Sequence, residues 1–115
     1  MSQSILIVDD NTGMVQLMAR MLKGVARLRF ATRGDEALKL MREGSFGLVI
    51  SDWNMEPMTG LQLLKEVRAD AKLKGTPFIM VTAESKTENV IAAKQAGVSN
   101  YIVKPFNAET LKAKM

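Results

Sequence analysis

The segment LVISD at residues 48–52 contains a short apolar run, residues 48–50, and ends in a carboxylate, Asp52. A second run of this kind, at residues 5–8, ends in the adjacent acids Asp9 and Asp10. Both runs are continuously apolar rather than alternating, which is typical of strands buried on both faces of a parallel sheet. We therefore expect an α/β fold in which helices cover a parallel sheet.

Three further strands and five helices alternate along the chain. The strands are predicted at residues 28–31, 78–81 and 101–103, and the last two are again continuously apolar. Helical spacing of apolar residues predicts helices at residues 14–22, 35–43 and 61–67. A fourth helix is predicted from a capping box of Ser85 and Glu88 and ends before Gly97. A last, short helix is predicted after Asn107. The pattern predicts a doubly wound sheet of five parallel strands.

Polar side chains follow four of the predicted strands. Right-handed crossovers place the carboxyl ends of all parallel strands at one edge of the sheet, where ligands bind in such folds. We therefore expect five side chains to converge there: Asp9, Asp10, Asp52, Thr82 and Lys104.

The chemistry of this set points to phosphoryl transfer. Three neighbouring carboxylates repel one another, and a divalent cation such as Mg²⁺ relieves the repulsion. Lys104 and the Thr82 hydroxyl are suited to phosphate oxygens, while a carboxylate can act as the nucleophile. Asp52 stands alone at its strand end and is the predicted phosphate acceptor, whereas the pair Asp9 and Asp10 is better placed to hold metal.

Composition removes several other kinds of site. The 115 residues, expected to form one domain over 1–115, contain no cysteine and no histidine, which excludes thiolate catalysis, a histidine base and imidazole metal ligands. A metal must therefore bind to oxygen atoms, as Mg²⁺ does. No apolar run approaches the roughly 20 residues of a membrane span, and no export signal is evident, so we expect a cytoplasmic protein.

The positive charge does not form a basic block. The net charge is +4, with seven basic and five acidic residues in 1–50 and nine and seven in 51–115. The nearest approach to a cluster is Arg27, Arg29 and Arg33, of which Arg27 and Arg29 share one face of the second predicted strand. We interpret them as charges that protect an edge strand, and we expect no nucleic-acid partner.

Four motifs carry a resemblance to a known family. They are VDD at residues 8–10, SDWNM at 51–55 with Gly60 downstream, VTA at 81–83 and VKPF at 103–106. With them the whole chain resembles the receiver domain of two-component response regulators, and from residue 48 onward it looks especially like CheY-type stand-alone chemotaxis receivers. The resemblance implies the flavodoxin-like strand order 2-1-3-4-5, of which CheY is itself a standard example.

The resemblance also implies roles for single residues. Asp52 resembles the phosphoacceptor, and Asp9 and Asp10 resemble the acidic pair at the Mg²⁺ site, with the Asn54 backbone carbonyl as a further ligand. Receivers accept the phosphoryl group from a histidine kinase or a phosphotransfer protein. Glu84 stands where family side chains tune dephosphorylation.

A second group of implied roles concerns the switch. Lys104 resembles the phosphate-contacting lysine, followed by an expected cis bond to Pro105, while Thr82 and Tyr101 look like the switch pair. In the family, phosphorylation reshapes the surface of helix 4, strand 5 and helix 5, which in CheY-type proteins binds the flagellar motor switch. We expect a monomer with an output protein of this kind.

The chain departs from the family in two places. Thr59 stands where the family usually has Asp, and the last helix has only Leu111 and Met115 as apolar anchors. A truncated or engineered receiver scaffold without output is therefore one alternative. The enzyme alternative is a Mg²⁺-dependent phosphatase of the haloacid dehalogenase class, although its nucleophile follows the first strand in an Asp-x-Asp motif that this chain lacks. A flavodoxin-like cofactor binder would need a different phosphate loop, and a DNA-binding regulator would need a further domain.

Overall fold

The fold is a five-stranded parallel sheet with helices on both faces, in a computed structural model that describes residues 4–55, 58–83, 87–104 and 106–115. The strand order is β2-β1-β3-β4-β5, which confirms the predicted flavodoxin-like order. The strands are β1 (Ser4–Val8), β2 (Arg27–Ala31), β3 (Leu48–Asp52), β4 (Phe78–Thr82) and β5 (Asn100–Val103).

The helices follow the strands in alternation: α1 (Thr12–Met21), α2 (Gly34–Glu43), α3 (Gly60–Ala69), α4 (Thr87–Gln95) and α5 (Ala108–Lys114). Side-chain oxygens of Asn11, Thr59 and Asn107 accept backbone N–H bonds at the starts of α1, α3 and α5, as helix caps do. The predicted cap at Ser85 lies outside the described residues. Gly97, at φ 92°, takes the left-handed conformation that ends a helix such as α4.

Two apolar cores lie on opposite faces of the sheet, because successive side chains of a strand point to opposite faces. One core joins Leu6, Val8 and Val49 to buried residues of α2 and α3. The other joins Ile5, Ile7 and Ile50 to buried residues of α1 and α5. β1, β3 and β4 are buried along both faces apart from the first residue of β1, as their continuous apolar sequences predict.

Three apolar side chains are more exposed than their patterns predict. Val103 is 40% exposed, because β5 is an edge strand and is not buried on both faces as we expected. Leu17 is 42% exposed, since the inward side of α1 is occupied by Met18 and the partly buried Met14. Met115 is also 40% exposed, so Leu111 is the buried apolar anchor of α5.

Among the described helices, none is long and apolar enough to cross a membrane.

Candidate functional site

The sheet brings the predicted polar residues to its carboxyl edge. Asp52 is the last residue of β3 and Thr82 the last of β4, and these strands are neighbours in the sheet. Asp9 directly follows β1 on the other side of β3, and Lys104 directly follows β5. The backbone N–H of Lys104 donates to the Thr82 carbonyl at 2.7 Å, which fixes the start of the Lys104 segment against β4.

The three carboxylates meet as the sequence predicts. Asp9, Asp10 and Asp52 each offer an oxygen atom, and these atoms lie within 4.8 Å of one another. Asp9 and Asp52 are buried, whereas Asp10 is exposed. Lys104 also reaches the cluster, since its Nζ lies 3.0 Å from Oδ1 of Asp52. The group therefore combines three anionic side chains with one ammonium.

Asp9 is the least satisfied carboxylate of the group. Its Oδ1 accepts the backbone N–H of Asn11 at 2.9 Å, but its Oδ2 is buried without a hydrogen-bond partner among the described residues. Burial is the main reason that the pKa of Asp9 rises from 3.8 to about 6, and the charge of Asp52 raises it further against the lowering effect of the Asn11 N–H and Lys104. A buried oxygen without a donor, beside two other carboxylates, fits a hard cation.

An open cleft leads to this cluster. Asp10, Asn54, Met55 and Thr59 line it, so Asn54 shares the cleft with the exposed acid of the cluster, and its role as a ligand stays a prediction. Thr59 and Gln62 cap α3 reciprocally: the Thr59 hydroxyl accepts the Gln62 N–H, and the Gln62 side chain accepts the Thr59 N–H. Threonine therefore performs the capping function of a short polar residue where the family usually has Asp.

The approach of α3 to β3 depends on a glycine. A Cβ atom on Gly60 would overlap the backbone carbonyl oxygen of Asp52 and would lie 2.8 Å from Sδ of Met80. The Gly60 N–H donates to the Trp53 carbonyl at 2.9 Å, so the first turn of α3 is tied to the residue after Asp52. The tight packing fixes the backbone at the predicted acceptor and directly after it.

The predicted switch pair lies on the β4–β5 side of the cluster. Thr82 is fully buried and Tyr101 is half-buried. The Tyr101 ring packs edge-to-face on Trp53, with ring centroids 6.4 Å apart and an interplanar angle of 72°. Trp53 is half-buried in the loop after β3, and the sequence gives no sign of this contact because the two residues are 48 positions apart.

Two predictions about this edge lie outside the described residues. They are the role of Glu84 in tuning dephosphorylation and the cis bond before Pro105.

Comparisons with known proteins agree with this geometry. Residues 5–115 match the response regulator receiver domain family. The chain belongs to this family. It is 47% identical over 116 residues to chemotaxis protein CheY-3 of Vibrio cholerae serotype O1, covering 99% of this chain and 89% of that protein. It is 46% identical over 113 residues to chemotaxis protein CheY of Pseudomonas aeruginosa, covering 96% and 91%.

Solved structures of receivers share the fold. Chemotaxis response regulator CheY4 of Vibrio cholerae superposes with a TM-score of 0.91 at 33% identity, over 100% of both chains. The BeF3-activated DrrB receiver domain gives a TM-score of 0.87 at 26% identity, over 99% of this receiver and 94% of that chain. These likenesses establish a CheY-type receiver and give no support to the phosphatase alternative.

Proposed function

We propose that residues 1–115 form one receiver domain that is switched by phosphorylation of Asp52. The observation that carries the proposal is the ion pair of Lys104 and Asp52 inside the acidic cluster. A buried carboxylate beside an ammonium can act as a nucleophile toward phosphorus, because the ammonium offsets the charge of the incoming phosphoryl oxygens.

The proposed reaction has two steps, and both take place on Asp52. An Asp52 carboxylate oxygen attacks the phosphorus of a kinase phosphohistidine, the P–N bond breaks, and the imidazole leaves with a proton from solvent. Water later hydrolyses the acyl phosphate, which restores the carboxylate and releases inorganic phosphate. The protein is a switch rather than an enzyme acting on other substrates, since both steps occur on its own side chain.

Mg²⁺ is the cofactor that this site fits. Asp9, Asp10 and Asp52 would hold it together with the Asn54 backbone carbonyl, and the ion would neutralise the charge that develops on the phosphoryl oxygens. The unpartnered Oδ2 of Asp9 supports this assignment. The residues of the chain hold the carboxylates in place through the Asn11 N–H and through the packing of Gly60.

The switch would start at Asp52 and reach the β5 side of the sheet. A phosphoryl group gives Lys104 Nζ a new partner and offers an acceptor to the Thr82 hydroxyl. Because Trp53 follows Asp52 and packs on Tyr101, displacement at Asp52 changes the surroundings of that ring. The protein then shifts its population toward an alternative arrangement of the α4, β5 and α5 surface.

The partners follow from the family. A histidine kinase or a phosphotransfer protein would supply the phosphoryl group, and the relatives named chemotaxis proteins support an output partner in chemotaxis, such as the flagellar motor switch. We propose that the protein works as a cytoplasmic monomer. A scaffold without output would take up phosphate but would not change its α4, β5 and α5 surface, which amide chemical shifts of that surface would reveal.

Phosphate uptake tests the proposal. Parent protein and Asp52→Asn are incubated with Mg²⁺ and labelled acetyl phosphate, and the modified residue is located by borohydride reduction and peptide mapping. We expect label on Asp52 in the parent and loss of uptake in Asp52→Asn, because the amide is a poor nucleophile. The matched control Asp70→Asn changes an acid at the end of α3, away from the carboxyl edge of the sheet, and should take up label normally. Label on another residue, or equal uptake by Asp52→Asn, would contradict the proposal.

A further inference from the structure

The positive charge of the chain is concentrated in one segment. Residues 11–34 contain five basic and no acidic side chains, whereas the rest of the chain contains 11 basic and 12 acidic. The segment covers α1, β2 and the turn between them, and β2 is one of the two edge strands. One edge of the sheet is therefore strongly cationic.

Four of these five cations have no anionic partner in the described part of the chain. Arg33 pairs with Asp35 at 3.2 Å. The other four side chains are exposed and lie in no ion pair within 4.0 Å: Arg20, Lys23, Arg27 and Arg29. Unpaired surface cations attract an anionic partner through long-range electrostatics.

The backbone of β2 is also available at this edge. The Ala31 carbonyl accepts the Asp9 N–H at 3.0 Å and so faces β1. Since backbone groups alternate in direction along a strand, Leu28 and Phe30 point their N–H and C=O groups away from the sheet. The next donor of this series, the Thr32 N–H, is bound by a carboxylate oxygen of Glu36 at 3.0 Å. An acidic side chain therefore already occupies one position along this edge.

The two faces of the edge differ in chemistry. Arg27 and Arg29 lie on the same face as Ala31, which packs in the α2 and α3 core. Phe30 lies on the other face with Leu28, and it is 40% exposed. The complementary strand carries acidic residues on one face and apolar residues on the other.

We propose that the outer edge of β2 binds an extended acidic segment of a partner protein, which joins the sheet as an additional strand. Main-chain hydrogen bonds to Leu28 and Phe30 would give affinity, and pairing with Arg27 and Arg29 would give selectivity for acid. A second copy of this chain does not fit, because apposed β2 strands would bring their unpaired arginines together. β5 forms the opposite edge of the sheet, so such a partner leaves the proposed switch surface accessible.

The test uses an acetylated and amidated peptide of four Glu-Val repeats as the probe. We expect the full chain to bind it with an affinity that falls as salt rises, and to show slower amide hydrogen exchange at Leu28 and Phe30 but not at Arg29, whose N–H direction is toward β1. Arg27→Gln with Arg29→Gln should weaken binding roughly fivefold to tenfold, which is within the range for two exposed ion pairs. The matched control, Lys65→Gln with Lys94→Gln, removes the same charge elsewhere and should bind like the parent.

Other outcomes would overturn the proposal. Equal losses in the two double variants would show attraction to net charge without a site. Binding of a duplex DNA that depends on Arg27 and Arg29, without binding of the peptide, would assign the edge to nucleic acid. Failure of both probes to bind would leave the arginines as protection against edge-to-edge association.

Discussion

The carboxyl edge of the sheet, where its strands end, and the amino edge, where they begin, hold aspartates whose pKa values are shifted in opposite directions. At the carboxyl edge, burial and the neighbouring Asp52 raise the pKa of Asp9 to about 6. At the amino edge, where α3 ends, the hydrogen bond from the Lys72 backbone N–H is the main cause that lowers the pKa of Asp70. Leu73 and Arg42 lower it further. The same side chain is thus satisfied at one edge and left short of donors at the other.

This difference distinguishes the amino edge, which has a structural role, from the carboxyl edge, which holds the candidate site. Arg68, close to Asp70 in the chain, donates to the carbonyls of Gly97, Lys74 and Thr76 at 2.6–2.9 Å, so that its guanidinium joins α3 to the segments that precede β4 and β5. In contrast, the carboxyl edge keeps an unpartnered oxygen on Asp9 among its described residues. Unfavourable arrangements of charge persist where function requires them, and here they favour the entry of a cation.

The largest expected effect concerns packing at the carboxyl edge. Gly60→Ala should lower the free energy of unfolding by about 3 kcal/mol, because the new Cβ overlaps backbone atoms that cannot rotate away. Urea denaturation measures the loss. Gly75→Ala, at the amino edge of the sheet, is the matched control, since a Cβ atom there meets no heavy atom within 4 Å. Its stability should stay within about 0.5 kcal/mol of the parent, and equal losses in the two variants would remove the distinction between the edges.

The second effect is a gain in stability. The folded pKa of Asp9, about 6, lies above its ordinary value of 3.8, so its contribution to stability is fully present below pH 3.8 and is lost as the pH rises through about 6. At pH 7 without Mg²⁺, Asp9→Asn should therefore be more stable than the parent by up to about 3 kcal/mol. The gain should disappear at pH 4, which thermal or urea unfolding at the two pH values would show.

Asp70→Asn is the control of opposite sign. Because the pKa of Asp70 is lowered, its contribution is present above the ordinary value and is lost as the pH falls. The variant should be less stable than the parent at pH 7. A destabilised Asp9→Asn at pH 7 would contradict the view that the carboxyl edge is strained by its own charge.

A smaller loss of stability is expected when the hydrogen bonds of Arg68 at the amino edge are removed. Arg68→Met keeps most of the aliphatic length but removes the hydrogen bonds to three carbonyls, and it should cost about 1.5 kcal/mol of unfolding free energy. Arg33→Met is the matched control, because Arg33 forms an exposed pair with Asp35 and should change stability by less than about 0.5 kcal/mol. Mg²⁺ affinity should be unchanged in both variants, and a weakened Mg²⁺ site in Arg68→Met would show that the two edges are coupled.

The convergence of Asp9, Asp52 and Lys104 could be predicted from sequence because it follows from strand direction alone. A parallel sheet brings all carboxyl ends to one edge whatever the strand order. The order itself does not follow from the apolar runs, and this explains the exposure of Val103: its strand is as apolar as a central one but lies at an edge. The strand order could be predicted only from the resemblance of the sequence to receiver domains.

Contacts between distant segments could not be predicted in the same way. Nothing in the spacing of Trp53 and Tyr101 indicates that their rings meet, and the acceptors of Arg68 are backbone carbonyls that any sequence supplies. The need for glycine at position 60 becomes visible only when the Asp52 carbonyl is placed beside it. Such details depend on how α3 docks on the sheet, which periodicity does not determine.

Mg²⁺ binding measured by isothermal titration calorimetry tests most directly whether carboxylates from two strands hold one hard ion. The parent should bind one Mg²⁺, and Asp10→Asn and Asp52→Asn should each weaken binding at least tenfold, roughly the least that loss of a direct ligand costs. Asp35→Asn and Asp70→Asn, which remove the same charge outside the cluster, should bind Mg²⁺ like the parent. Equal Mg²⁺ affinity in all five proteins would contradict the site and the switch proposed on it.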